Sequence, residues 1–173
     1  EVQGQTGGDE WRNHGGHRFW HAPEDLARTY VPDNAPVHVE PLPDGLRLTQ
    51  PTEAPTGLQK EIDLKLWPDA AHVRVTHRLR NHGLFAVETA PWALSVMATG
   101  GTAILPLPPR GPHAENLLPA SRLVLWAYTN MSDPRWTWGH KYILLRQDPQ
   151  SPAYQKAGAS VPDGWCAYAR DSH

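Results

Sequence analysis

The sequence predicts an all-β protein built as an antiparallel β-sandwich, and three observations carry that prediction. Eighteen prolines and fourteen glycines among 173 residues break the chain too often for long helices. Between the breaks, apolar and polar residues alternate with a period of two rather than 3.6. The alternating runs are short and bounded by turn signals at regular spacing. One domain over residues 1–173 is expected, with 1–35 as an irregular N-terminal segment packed on the sandwich.

Taken in order, residues 1–35 show no sustained period, apart from "PEDLAR" (23–28), which predicts one helical turn with Pro23 at its first position. "VHVE" and "LRLTQ" flank an Asp44-Gly45 turn signal. "EIDLKLW" alternates Ile62, Leu64 and Leu66 with Glu61, Asp63 and Lys65. "HVRVTHRLR" sets Val73, Val75, His77 and Leu79 against Arg74, Thr76, Arg78 and Arg80. With Pro68-Asp69 between them, these two runs predict a long antiparallel hairpin with one wet face. "FAVETAPWALSVMA" (85–98) and "TAILPL" (102–107) are more evenly apolar, as inner strands are. After the connector "PLPPRGPH", "RLVLWAY" and "KYILLRQD" read as strands, and "GWCAYAR" (164–170) as a last one. That last run stops with Trp165 and Tyr168 unpartnered, which predicts a shortened sandwich or a homodimer completed through this strand.

The formal charge of −2 offers no electrostatic grip on nucleic acid or an anionic membrane, and no apolar run reaches the ~20 residues that span a bilayer. The single cysteine, Cys166, excludes an internal disulfide framework and a Cys-rich zinc site, and fits the cytoplasm. GxGxxG, GxxxxGK[ST] and GxSxG motifs are absent from the sequence. No cofactor, no nucleic-acid partner and no membrane partner is expected. Eight tryptophans against two phenylalanines is an unusual balance, because indole serves both as core filler and as a flat ligand platform.

Two stretches concentrate chemistry. In "HGGHRFWHAPEDLARTY" (14–30), an extended chain puts His17 and His21 on one face with Phe19, and Arg18 and Trp20 on the other. His14, His17 and His21 would make a metal site only if a loop brought His14 round and a carboxylate such as Glu24 or Asp33 joined them. A lone histidine on an apolar strand face, such as His77, is ordinarily a satisfied core group. In "DPRWTWGHKY" (133–142), Trp136 and Trp138 share a face beside Asp133 and Arg135. Such a set either holds a polyol, its C–H face on indole and its hydroxyls on charged partners, or fills the core with Asp133 capping a turn.

"GGHRFWHAPED…RTYVPDNAPV", "APWALSVMATGGTAILPLPP", "NLLPASRLVLWAYTNMSDPRWTWGHKYILLRQDP" and "DGWCAYAR", in that order, resemble a family of uncharacterised bacterial proteins that is similar to galactose mutarotases. The resemblance covers nearly the whole chain. It implies a shortened mutarotase β-supersandwich and a carbohydrate-facing cleft edged by the "GGHRFWHAPE" loop. Where mutarotases carry their general-acid histidine, this chain reads "APWALSVM", with Trp92.

The expectation is therefore a mutarotase-like carbohydrate-binding protein. Its acid–base candidates are His17, His21, Glu24 and Asp133, because ring opening and glycosidic cleavage both need one proton donor and one acceptor. Its sugar-contacting candidates are Arg18, Trp20, Trp92, Arg135, Trp136 and Trp138. The alternatives are a glycoside hydrolase with paired carboxylates and a metal-dependent enzyme with the histidines as ligands.

Overall fold

The computed structural model describes residues 7–170. The chain is all-β, with several antiparallel sheets. The one helical element among the described residues is a 3-10 turn at His113–Glu115. Where the sequence suggests one domain, the chain divides after Val96 into two compact units. Strands before that point pair among themselves, and so do those after it.

In the first unit, β2 (His38–Leu42), β3 (Gly45–Thr49), β4 (Leu58–Leu66) and β5 (Val73–Asn81) form a four-stranded antiparallel meander. β1 (Gly16–Ala22) pairs antiparallel with β6 (Ala90–Val96). The β2–β3 turn falls where the Asp44-Gly45 signal places it, with Leu42 opposite Gly45. Glycine is required there because a Cβ on Gly45 would lie 1.8 Å from the Leu64 carbonyl oxygen. The long β4–β5 hairpin is registered with Ile62 opposite His77, and Leu48 of β3 lies opposite Ile62. That row makes one apolar face, and β1 lies against it: the Phe19 ring, 5% exposed, sits 4.8 Å from the His77 ring.

The opposite face is the wet one on β5, where Arg74, Thr76 and Arg80 are exposed. It also carries a cross-strand lattice of ion pairs, with Glu61 only 5% exposed. Arg47 binds Asp63 at 2.8 and 3.0 Å, Arg78 reaches Glu61 at 2.9 Å and Asp63 at 2.8 Å, and Arg80 adds a contact to Glu61 at 3.3 Å. Within this lattice the Glu61 and Asp63 side chains are 6% and 16% exposed. Arg47 first, with Arg78 adding to it, holds the Asp63 carboxyl at about 2 against the opposing effect of burial.

Three further expectations shift. The turn of "PEDLAR" begins at Asp25 rather than Pro23. The Asp25 side chain accepts from the Ala27 and Arg28 amides at 3.0 and 3.1 Å, while its carbonyl accepts from the Thr29 amide at 2.8 Å. An aspartate that caps the turn sets its start. β6, evenly apolar in sequence, is not an inner strand: among the described residues its only ladder is with β1. The segment 1–35, expected to be irregular, contributes β1.

In the second unit, β7 (Thr102–Pro106), β9 (Trp136–Trp138), β10 (Tyr142–Arg146) and β12 (Ala167–Ala169) form a sheet in the order β12–β7–β10–β9. β8 (Leu123–Leu125) pairs with β11 (Ala157–Ala159). Trp136 and Ile143 are buried here, as is Pro106 at the end of β7. The C-terminal strand β12 lies on β7, and the Tyr168 hydroxyl accepts from the Gly101 amide at 2.8 Å and donates to the Ala98 carbonyl. β12 is an edge strand, with no second ladder among the described residues.

Candidate functional site

The site builds from β1. Gly15 and Gly16 enter it at φ of 83° and 70°, a backbone region that other residues rarely adopt. The chain then runs extended, so side chains alternate. His17, Phe19 and His21 turn one way. His17 Nε2 lies 2.7 Å from His77 Nε2, and His17 Nδ1 lies 2.8 Å from the Ser95 hydroxyl. One imidazole donates and the other accepts across the short contact. Burial, and then the neighbouring His17, push His77 below the ordinary imidazole value. His77 is thus a satisfied face histidine, but its partner is another histidine.

His21 is 3% exposed, and its Nδ1 has no hydrogen-bond partner. Burial first, and then the charge of Lys60, hold it below the usual imidazole range. Lys60 projects from the otherwise apolar face of β4 and forms a buried ion pair with Glu53. Gln50 at 3.1 Å and Thr56 at 2.8 Å also donate to Glu53. Burial alone would raise the Glu53 carboxyl, but these donors outweigh it and keep the group below its ordinary value.

Arg18 and Trp20 turn the other way, into an aromatic cluster. Trp20 is 7% exposed and meets Trp11 at 5.4 Å, Tyr30 at 5.1 Å and its cross-strand partner Trp92 at 5.2 Å, all edge to face. The Arg18 guanidinium carbon sits 4.5 Å over the Trp20 ring and 5.3 Å over Trp11. Glu24 accepts a hydrogen bond from the Tyr30 hydroxyl, which, with burial, raises the phenol above its ordinary value. That bond ties Glu24 to Tyr30.

A cavity of about 490 Å³ opens beside this strand. Trp11, Trp20, Arg18 and His17 line it, with Asn34 and Asp33 from the loop that follows. Leu48, Gln50, Lys60 and Ile62 line it from the meander. Desolvation raises the Asp33 carboxyl above its usual range, and Lys60 opposes that rise. His14 also lines the cavity, but the three histidines of the stretch do not converge: among the described residues no three His, Cys, Asp or Glu side chains are grouped to hold a metal ion.

The candidates of the second unit form their own arrangement. Trp136 and Trp138 stack at 5.1 Å with 27° between the rings. Trp136 is buried, its indole N–H directed to Gln155 at 3.3 Å. Trp138 is exposed and borders a second cavity of about 530 Å³ with Pro109, Arg110 and His140. Asp133 is taken up locally: it accepts from the Arg135 amide and Nε at 2.9 Å each and from Nη2 at 2.8 Å. Those bonds hold its carboxyl at about 2, so it keeps no proton to donate near neutrality. Arg135 also donates to the Ala153 carbonyl at 2.8 Å, which makes the pair a brace for the turn ahead of β9.

Of the sequence candidates, the structure brings His17, Arg18 and Trp20 to one cavity, sets His21 and Trp92 into the packing around β1, and leaves Glu24 on Tyr30. Sequence reasoning missed Trp11, Asn34, Gln50 and Lys60. Lys60 carried a signal, a charged residue on the apolar face of an alternating strand. No protein-family model, curated protein or solved structure matches the chain.

Proposed function

We propose that this chain is a mutarotase-like carbohydrate-binding protein whose sugar sits in the cavity beside β1. The observation that carries the reading is the lining: two indoles, Trp11 and Trp20, share one cavity with the cation Arg18 and the amides Asn34 and Gln50. The partly exposed Trp11 indole, backed by the buried Trp20, offers apolar surface to the C–H side of a pyranose, while the amides and charged groups take its hydroxyls. A volume of about 490 Å³ lies in the ordinary range of small-molecule sites, roughly 300–1,000 Å³.

The same cavity holds an imidazole, His17, and a carboxyl, Asp33. Mutarotation needs the O1 proton removed as the C1–O5 bond breaks and a proton delivered to O5, with the reverse on ring closure. His17 serves one half of that exchange once a sugar oxygen displaces the Ser95 hydroxyl from Nδ1, while Nε2 stays on His77 at 2.7 Å. Asp33, the carboxyl on the wall of the same cavity, is suited to the other.

Intrinsic tryptophan fluorescence titrated with a panel of monosaccharides tests binding, and polarimetry of freshly dissolved sugar tests catalysis. A saturable fluorescence change that Trp11→Ala removes supports the binding reading. Flat titrations across neutral and charged sugars remove it. Binding without any acceleration of mutarotation leaves a binding module and removes the acid–base roles of His17 and Asp33.

A further inference from the structure

Resting on the cavity of the preceding section, we propose that its ligand is an anionic carbohydrate, a sugar bearing a carboxylate or a sulfate ester, and that Arg18 receives the anion. Arg18 stands apart from the paired arginines of the same unit. Arg47, Arg78 and Arg80 each have a carboxylate within 4 Å. Among the described residues, Arg18 has none. Its contact to a polar group is a long one, Nη1 to the Asn13 side-chain oxygen at 3.4 Å, and its buried Nε has no partner.

Arg18 is half-buried with its Nε closed off from water, and without an anion stacking on indole offsets only part of that lost hydration. The Trp20 and Trp11 rings flank the group, its central carbon 4.5 and 5.3 Å from their centroids, and so limit where its donors lie. A fixed planar fork is what a carboxylate or sulfate engages through two parallel hydrogen bonds. Lys60 and Arg12 are the other cations of the lining; Lys60 is neutralised by Glu53, and Arg12 has an interaction of its own. Glu10 and Asp33 are the acids that line the same cavity. The anion therefore seats at Arg18 between the indoles, and the hydroxyls are left to Asp33, Asn34 and Gln50.

The test is calorimetric titration of the intact chain with galactose, galacturonate and galactose 6-sulfate at low salt, repeated with Arg18→Lys and Arg18→Met. An acidic sugar should bind at least ~10-fold more tightly than galactose, as expected for a charge-assisted bond. That preference should shrink with added salt, persist in part in Arg18→Lys and vanish in Arg18→Met. Which acidic sugar binds separates a carboxylate site from a sulfate site. Should an Arg18 variant fail to fold, the wild-type comparison and its salt dependence still decide. Galactose binding as tightly as both acidic sugars overturns this inference and leaves the carbohydrate reading in place. If none of the three binds, and no other sugar does, both fall together.

Discussion

The Nε2 atoms of His17 on β1 and His77 on β5 lie 2.7 Å apart, and His17 Nδ1 reaches Ser95 on β6 at 2.8 Å. Three strands are joined through two imidazoles. Because one ring must accept across the short contact, the pair is compatible with at most one added proton, and a second would set two cations face to face.

Stability should therefore fall on mild acidification. His77 and His21 both have folded-state pKa values below the ordinary 6.5 of histidine, each chiefly through burial. A lowered folded value means that the unfolded chain binds protons first. The contribution is complete above about 6.5 and is lost as pH falls through the lower, folded value. Thermal melts between pH 8 and 5 should show the midpoint dropping below pH 6.5, with a shallower drop in His21→Asn. An equal drop in that variant would place the effect elsewhere.

A second acid limb belongs to the ion-pair lattice. Asp63 titrates at about 2 when folded and nearer 3.8 when unfolded, so its contribution is present above 3.8 and disappears toward pH 2. Asp63→Asn should lower stability at pH 7 and flatten the melt profile between pH 4 and 2. An unchanged profile would show that Asp63 does not set this limb.

The two kinds of tryptophan should separate by truncation. Trp20, 7% exposed and packed among Trp11, Tyr30 and Trp92, should cost about 3–5 kcal/mol as Trp20→Ala. Trp138, 39% exposed, should cost much less on Trp138→Ala. Urea unfolding measures both, and equal losses would contradict the burial assigned to them.

How far the sequence carried these features depends on what each strand faces. The β3–β5 meander was legible because its two faces differ in kind, Leu48, Ile62 and Leu64 against Arg47, Glu61 and Asp63. β1 hid because both of its faces are mixed: His17, Phe19 and His21 pack on the meander, while Arg18 and Trp20 enter the aromatic cluster. A strand covered on both sides by aromatic and polar partners loses the period-two signal. Trp11 and Asn34 reach the cavity from loops, whose paths no periodicity encodes. That Trp136 and Trp138 share a face followed from spacing alone, and the structure adds that their rings stack. Which ring is buried did not, since that depends on the strands around β9.

The central claim is that a sugar occupies the cavity lined by Trp11 and Trp20, and an NMR titration of the indole N–H resonances tests it most directly. The eight tryptophans provide reporters in both units. On adding galactose, galacturonate or galactose 6-sulfate, the Trp11 and Trp20 resonances should shift saturably while Trp67 and Trp138 stay in place, and Trp11→Ala should abolish the shift of Trp20. Shifts confined to Trp138, or no indole shift with any of the three sugars, would contradict the account.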